Sequence, residues 1–241
     1  MRSFALTVTL MAATLAAAAL ASNWTVVASF DGPYPTYGYG IEAYGNYLYC
    51  VGSNMAYISV ITTTGSQVGT IPLINYNYDL DFDGTYFWVV QTDHQCRRYT
   101  SSGSALASFS LGSITGHGIA YDGTYIWLSG DNPSGYIYRM NTTGSIYSSF
   151  ACPGGYDGGL DRDGAYLWST AWITSNSAVY KITTTGSVLD SFYGPAAQTY
   201  GASWDGTYFW TTNNTNGWVY KMQDVEAITP LTLGKVKALY R

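Results

Sequence analysis

Short runs of apolar and aromatic residues alternate along the chain with glycine-containing turns. Around residue 120, two Gly turns, Asp122-Gly123 and Asn141-Thr142-Thr143-Gly144, separate segments rich in aromatic and β-branched residues. Asp-Gly favours a tight hairpin, and the Gly of the second turn is free to adopt a positive φ. The pattern therefore predicts four successive antiparallel strands, at residues 118–121, 124–129, 136–140 and 145–150.

The same pattern recurs along the chain. Copies of the segment Asp122-Gly123-Thr124-Tyr125-Ile126-Trp127 place equivalent glycines at positions 45, 84, 123, 164 and 206, spaced 39, 39, 41 and 42 residues apart. A nearly constant period of this size indicates an array of one supersecondary unit. Four antiparallel strands in a repeat of about 40 residues are typical of a propeller blade. The sequence therefore predicts an all-β, five-bladed β-propeller.

The fifth repeat lacks a fourth strand after Met222, and the missing strand is found at the other end of the chain. Residues 25–33 match residues 187–195, which form the fourth strand of the preceding repeat, almost position for position. We expect the N-terminal strand to complete the fifth blade and to cover its open edge. The alternative is entry of this strand into the fifth blade of a second copy, which would produce self-association or a filament.

The two ends of the chain differ from the repeats. Residues 1–21 combine Arg2, an apolar stretch and the small residues Ala19 and Ala21, a pattern typical of a secretory signal peptide. The alternative, a membrane anchor, is disfavoured because the apolar stretch is short. We therefore predict export to the cell surface, the extracellular space or the periplasm, a propeller at 22–223 and a separate tail at 224–241.

Charge and cysteine content exclude some function classes. Only 10% of the residues are charged and the net charge is −5. No basic stripe is present to neutralise phosphates, so we do not expect nucleic acid as a partner. The three cysteines, Cys50, Cys96 and Cys152, allow at most one disulfide within the chain; buried free thiols are the alternative.

The blade pattern places both kinds of tight turn at one end of the propeller and all irregular connections at the other. Variable loops on a rigid scaffold commonly carry binding groups. Tyr, Trp and Asn populate these loops, and such residues suit sugars, because aromatic faces cover C–H groups while amides meet hydroxyls. We predict a glycan- or peptide-binding surface; the alternative is loop composition without a ligand. The candidate binding residues are Tyr37, Tyr39, Tyr76, Tyr78, His117, Tyr156, Trp172 and Tyr200.

Carboxylates recur on the innermost strands. Glu42, Asp81 and Asp161 occupy equivalent positions in three of the five repeats. If they converge on the axis, their oxygens are suitable ligands for Ca²⁺, or they form the acid and base of a glycosidase. The structural alternative is that each one accepts hydrogen bonds from amides of a neighbouring blade. A second, less specific metal candidate combines His94, Cys96 and His117.

The repeat Gly-apolar-x-x-Asp-Gly-Thr-Tyr-apolar-Trp, followed by Tyr-Lys/Arg-apolar-x-Thr-Thr-Gly, resembles secreted bacterial propeller repeats over residues 25–223. It is also similar to the five-bladed propeller of glutaminyl cyclotransferases. That family enters its first strand with Phe-Thr-Gln-Gly and has an acidic residue after the Tyr of the next strand. Here Tyr37-Gly38-Tyr39-Gly40 and Tyr49-Cys50 stand at these places. The resemblance therefore implies the fold and not the cyclisation activity.

These observations predict an exported binding or surface-assembly module. An enzyme that uses Glu42, Asp81 and Asp161 and a structural subunit assembled by strand exchange are the alternatives.

Overall fold

The computed structural model describes residues 23–131, 135–155, 158–172 and 177–225. These residues form five sheets, each of four antiparallel strands. The innermost strands of successive sheets contact one another in a closed circle, and the last contacts the first. The fold is therefore a five-bladed β-propeller, as the repeat predicts.

The strands follow one order in every blade, from the axis outward. Blade 1 contains β2 (Gly38–Tyr44), β3 (Tyr47–Gly52), β4 (Tyr57–Thr62) and β5 (Gln67–Pro72). Blade 2 contains β6 (Asn77–Phe82), β7 (Tyr86–Gln91), β8 (Gln95–Thr100) and β9 (Ala105–Ser110). Blade 3 contains β10 (Thr115–Tyr121), β11 (Ile126–Asp131), β12 (Gly135–Met140) and β13 (Ile146–Ala151). Blade 4 contains β14 (Leu160–Asp163), β15 (Tyr166–Ala171), β16 (Ala178–Thr183) and β17 (Val188–Tyr193), and a short 3-10 turn, Pro153–Gly155, precedes it. Blade 5 contains β18 (Ser203–Trp204), β19 (Phe209–Thr212), β20 (Trp218–Asp224) and, from the start of the chain, β1 (Trp24–Asp31).

The hydrophobic core lies between the blades. The second-strand aromatic residues Trp88, Trp127, Trp168 and Trp210 are at most 2% exposed and belong to separate clusters at successive blade interfaces. Each blade is covered on both faces by its neighbours, so both faces of its second strand are apolar. These aromatic side chains are therefore core residues.

The first turn of blades 2–5 is centred one residue later than the Asp-Gly pair suggests. In blade 3 the Asp122 N–H donates to the Tyr125 carbonyl (3.0 Å), so Gly123 and Thr124 are the two central residues. The Asp122 carboxylate then accepts the N–H groups of Thr124 and Tyr125. This capping lets a side chain satisfy the amides of the turn. The second strand therefore begins at Ile126 and not at residue 124 as predicted.

The second tight turn of blades 1–4 brings a glycine under an aromatic or proline ring of the preceding blade. Gly65, Gly144 and Gly186 have φ near +90°. A Cβ at these positions would lie 2.6–2.7 Å from the rings of Phe30, Phe109 and Phe150, respectively. Only glycine combines this backbone conformation with such a close approach. Gly103 makes the corresponding approach to Pro72.

The N-terminal strand closes the ring within the chain. β1 pairs with β20 over residues 24–31, with one bulge between Val26 and Ala28. Phe30 then packs on Gly65 of blade 1, the same contact that the fourth strands of blades 2 and 3 make with the next blade. The predicted closing strand is thus present and completes blade 5.

Trp24 occupies the place of the one missing turn. Blade 5 has no chain connection between β20 and β1, so Phe192 of blade 4 has no turn glycine to cover. Instead its ring stacks on the indole of Trp24, with ring centroids 4.4 Å apart and planes 14° apart. Trp24 also contacts Trp168 and Phe209 edge-on. The indole of Trp24 therefore packs at the interface between blades 4 and 5 in place of the missing turn.

Some predictions about the termini lie outside the described residues. These are the signal peptide at 1–21 and nearly all of the tail at 224–241. Across the described ranges, no helix has the length and apolar character needed to cross a membrane. Cys50, Cys96 and Cys152 are all buried and none of them forms a disulfide, so the alternative of buried thiols is the one observed.

We expect Trp24→Ala to lower the free energy of unfolding by about 3 kcal/mol, because truncating a packed aromatic ring removes its contacts and leaves a cavity. Val27→Ala on the same strand is the matched control, since Val27 is 46% exposed. The control should change the free energy by less than about 0.5 kcal/mol. Denaturant unfolding of both variants measures the difference. Equal losses of unfolding free energy in the two variants would contradict the packing role of Trp24.

Candidate functional site

Five ring-bearing side chains, one from each blade, meet at the irregular-loop end of the axis. We call Tyr39, Tyr78, His117, Trp172 and Tyr200 the axial aromatic cluster. Tyr39, Tyr78, His117 and Tyr200 each precede an equivalent inner-strand position, and Gly158 holds the corresponding place in blade 4. Trp172, which follows β15, supplies the ring that blade 4 lacks there.

Bulges in the innermost strands present three of these side chains. The strand register shifts across Tyr39 in β2, Tyr78 in β6 and His117 in β10. A bulge leaves its extra residue outside the ladder and redirects that side chain. Gly38 and Gly40 flank Tyr39, and Gly116 and Gly118 flank His117, so no neighbouring side chain crowds these two rings. The local sequence therefore places one ring per bulge at the mouth of the channel.

Four rings of the axial aromatic cluster, those of Tyr39, Tyr78, His117 and Tyr200, contact one another in a circle, and Trp172 joins them at Tyr200. Centroid distances are 5.6 Å for Tyr39–Tyr78, 5.1 Å for Tyr78–His117 and 4.4 Å for Tyr39–Tyr200. Tyr78 and His117 are parallel to within 2°, and Trp172 meets Tyr200 edge-on at 6.2 Å. Tyr200 is 1% exposed, whereas the other four members are half-buried. The cluster therefore presents a partly exposed aromatic surface on a buried base.

His117 is polarised from both sides. Its Nδ1 lies 3.0 Å from the Tyr200 hydroxyl, and its Nε2 lies 3.6 Å from Asp131 Oδ2. Burial lowers the pKa of His117, and the nearby Asp131 carboxylate opposes that shift. At neutral pH the imidazole is therefore uncharged, and it can donate one hydrogen bond and accept another.

The other predicted binding residues are placed less centrally. Tyr37 and Tyr76 are 50% and 49% exposed at the same end of the propeller. Tyr37 has a positive φ of 61°, and its N–H donates to the Asn214 carbonyl (2.9 Å). Tyr156 lies outside the described residues. The structure thus brings together five of the eight predicted binding residues, with two more exposed at the same end.

The inner-strand carboxylates link neighbouring blades. Asp81 accepts the N–H of Tyr121 in blade 3, and Asp161 accepts the N–H of Trp204 in blade 5. Ser203 holds the equivalent position in blade 5, where its hydroxyl accepts the Ala43 N–H (2.9 Å) and donates to Glu42 (3.2 Å). Asp81 and Asp161 thus accept amides of neighbouring blades, as in the structural alternative, whereas Glu42 accepts a hydroxyl.

Asp79 links three blades. Its Oδ2 accepts the N–H groups of Ile119 in blade 3 (3.0 Å) and Leu160 in blade 4 (3.2 Å). The side chain is fully buried, and within the described part of the chain its Oδ1 has no partner. Burial raises the pKa of Asp79 well above its usual value, against the opposing effect of the backbone N–H donors. A protonated Asp79 therefore avoids an isolated buried charge.

The acids at the opposite end of the channel are also driven toward the protonated form. Burial raises the pKa of Asp81 to about 7 and that of Asp161 to about 8, and the Asp81 carboxylate adds to the shift of Asp161. Burial, followed by repulsion from Asp161 and Asp81, raises the pKa of Glu42 well above its usual value. The mutual influence of these groups means that they titrate together rather than singly.

The metal predictions gain no support from the geometry. Among the described residues, no group of three or more His, Cys, Asp or Glu side chains is arranged to hold a metal ion. His94 Nδ1 lies at hydrogen-bond distance, 3.1 Å, from the Ile114 carbonyl oxygen, and Cys96 is fully buried. His117 belongs to the axial aromatic cluster. A Ca²⁺ site at Glu42, Asp81 and Asp161 stays a prediction.

Three cavities adjoin one another at the tight-turn end. One of about 240 Å³ is lined by Glu42, Asp81 and Asp161 together with Arg162. Another, of about 560 Å³, lies between blades 5 and 1 and also reaches Glu42. A third, of about 430 Å³, lies between blades 4 and 5. Trp204 lines all three.

Sequence reasoning missed Asp131 and Trp204 as candidate site residues. Asp131 ends β11 opposite Thr115, two residues before His117, and the bulge at His117 brings the pair together. The 39-residue spacing of Tyr39, Tyr78 and His117 was a signal in the sequence for a shared axial position. Trp204 had no distinct signal, since the equivalent positions of the other blades hold Ala43, Phe82, Tyr121 and Arg162, two of which are aromatic.

Comparison with known proteins supports the fold. No protein-family model matches the chain, and no curated protein sequence matches it. Among solved structures, a glutaminyl cyclase from Myxococcus xanthus superposes with a TM-score of 0.69 at 12% identity, covering 83% of this chain and 95% of that one. A PQQ-bound aldose sugar dehydrogenase from Streptomyces coelicolor gives a TM-score of 0.55 at 8% identity, covering 83% and 97% of the two chains. A virginiamycin B lyase from Staphylococcus aureus gives 0.47 at 20% identity over 79% and 68%.

At these low sequence identities, structural similarity assigns the chain to the class of β-propellers but does not assign an activity to it. The similarity to the glutaminyl cyclase fold agrees with the resemblance found in the repeat.

The buried acids should make the protein more stable in mild acid than in base. Asp161 has a folded pKa of about 8, against an unfolded value near ~3.9. The native state therefore binds more protons than the unfolded state between these values, and stability falls as pH rises through the folded pKa. We expect the free energy of unfolding to decrease from pH 5 to pH 9.

Asp161→Asn tests this prediction, because Asn keeps an acceptor oxygen for the Trp204 N–H but does not ionise. Its loss of stability between pH 5 and pH 9 should be smaller than that of the wild type by at least about 1.4 kcal/mol, equivalent to one pKa unit. Denaturant unfolding across this pH range provides the measurement. Asp205→Asn, at an exposed turn, is the control. Parallel curves for wild type and Asp161→Asn would contradict the assignment.

Proposed function

We propose that the protein is an exported glycan-binding module whose ligand contacts the axial aromatic cluster at the irregular-loop end. The observation that carries the proposal is the convergence of one ring from each of five blades on the axis. Half-buried aromatic faces pack well against the C–H face of a sugar. Their rigid placement lowers the loss of entropy on binding.

Polar groups around these rings provide hydrogen-bond capacity. The indole N–H of Trp172 is buried and, within the described part of the chain, has no hydrogen-bond partner. His117 is neutral and lies beside the exposed carboxylate of Asp131, which is 56% exposed. A saccharide offers both hydroxyl donors and oxygen acceptors, so it can satisfy this mixture of groups. An apolar ligand cannot.

Two other functions have less support. A hydrolase at Glu42, Asp81 and Asp161 would use carboxylates that already accept hydrogen bonds from adjacent blades, Asp81 and Asp161 from backbone N–H groups and Glu42 from the Ser203 hydroxyl. Assembly by strand exchange would require β1 to leave its own blade, whereas β1 pairs with β20 of the same chain. An extended peptide is the alternative ligand for the same surface, and binding assays distinguish it from a glycan.

A glycan array probed with the protein starting at residue 22 tests the proposal, and the bound glycan is then titrated by calorimetry. We expect Trp172→Ala to weaken binding about tenfold, because it removes one stacking face and one N–H donor. Trp218→Ala is the matched control, since Trp218 is 37% exposed but does not belong to the axial aromatic cluster. Its affinity should equal that of the wild type.

A blank array, or an equal loss of affinity in both variants, would contradict the proposal. If peptides from a library bind at this surface and no glycan does, the ligand is an extended peptide and not a glycan.

A further inference from the structure

A second candidate site lies far from the axial aromatic cluster, at the interface between blades 4 and 5 where the chain closes. This cavity, which we call the seam cavity, has a volume of about 430 Å³. Small-molecule sites commonly measure about 300–1,000 Å³. Three indoles and several polar side chains line it, including Trp24, Trp168, Trp204, Thr207, Asp190 and Gln223.

The seam cavity exists because blade 5 is built from both ends of the chain. In blades 1–4 a Gly-containing turn joins the third and fourth strands at this end of the propeller. In blade 5 this connection is absent, and Trp24 fills part of the space by stacking on Phe192. Trp204 then faces both Trp24 and Trp168, with ring centroids 6.0 and 5.7 Å away.

Trp168 carries a hydrogen-bond donor that the fold leaves unused. In blades 3 and 5 the equivalent indoles, Trp127 and Trp210, donate to the turn carboxylates Asp122 (2.9 Å) and Asp205 (2.7 Å). In blade 4 the equivalent carboxylate, Asp163, is bound instead by Lys181 (2.5 Å). Trp168 is only 2% exposed, and within the described ranges its Nε1 is buried and has no hydrogen-bond partner.

A buried donor without a partner is unfavourable unless a ligand or water satisfies it. Trp88 in blade 2 shares this feature, but it packs in a hydrophobic cluster with Val90 and Leu128 and does not line the seam cavity. Of these two residues, Trp168 is the one that lines the seam cavity.

We propose that the seam cavity binds a neutral pyranose ring, with a sugar oxygen accepting the Trp168 indole hydrogen. Indole faces of Trp24 and Trp204 offer apolar surface for the C–H side of the sugar. Asp190 and Gln223 at the cavity wall accept from and donate to hydroxyl groups. Asp190 and Asp224 line the cavity, and its one lysine, Lys181, is already paired with Asp163, so an anionic ligand would find no free positive charge there.

This inference goes beyond the proposed glycan-binding surface, because it concerns the opposite end of the propeller and other residues. The two sites can fail independently. In a Trp172→Ala protein, added sugar should still shift the NMR signal of the Trp168 indole N–H, even if binding at the axial aromatic cluster is lost.

The test follows the indole N–H signals of ¹⁵N-labelled protein by NMR. The probes are methyl glycosides of glucose, galactose and mannose, added in increasing concentration, with glycerol as a control that has hydroxyls but no ring. We expect the Trp168 indole signal to move saturably with at least one glycoside. The signals of Trp88, Trp127 and Trp210 should stay in place.

Trp168→Phe removes the donor and keeps most of the packing. It should weaken glycoside binding about three- to tenfold, the effect of one hydrogen bond, as followed through the Trp24 and Trp204 signals. Trp127→Phe, which alters the equivalent indole in blade 3, should leave the affinity unchanged. If Trp168→Phe does not fold, Asp190→Ala at an exposed position of the wall should show a similar weakening.

A Trp168 signal that does not respond to any of the glycosides would overturn the proposal. An equal response to glycerol, or equal affinity in Trp168→Phe and wild type, would overturn it as well.

Discussion

Closure of the ring by the N-terminal strand is the constraint on which the rest of the structure depends. Each blade buries both faces against its neighbours, so the apolar second strands are stable only in a complete circle. Pairing of β1 with β20 completes blade 5. Phe30 of β1 then packs on Gly65 of blade 1, and Trp24 of β1 stacks on Phe192 of blade 4. One strand therefore joins both ends of the array, and both candidate ligand surfaces rest on that closed scaffold.

The closed ring also explains the unusual chemistry on the axis. Innermost strands come close enough that carboxylates of one blade reach backbone amides of the next, as Asp81 does with Tyr121. The same proximity buries several acids in one narrow channel and raises the pKa of Asp161 to about 8. At the other end, bulges bring Tyr39, Tyr78 and His117 into contact. The fold thus concentrates polar groups at one end and aromatic rings at the other.

The sequence was sufficient to predict the fold because its information is repeated. Four copies of the Asp-Gly unit and a fifth, degenerate copy at Gly45 established the number of blades, and the match of residues 25–33 to 187–195 identified the closing strand. Contacts that depend on exact register were harder to predict. The turn centred on Gly123-Thr124 and the partnership of His117 with Asp131 depend on register and a bulge within blade 3. The role of Trp24 depends on how blades 4 and 5 pack. The inner carboxylates were recognised, but their hydrogen bonds to the next blade required coordinates.

The most direct test of ring closure removes the closing strand and returns it as a separate molecule. A chain that starts at residue 32 is compared with the chain that starts at residue 22, and a synthetic peptide of residues 22–31 is then added. We predict that the shortened chain loses cooperative unfolding and exposes the blade interfaces to solvent in hydrogen exchange, and that the peptide restores both properties. A shortened chain as stable and as cooperative as the longer one would contradict the account.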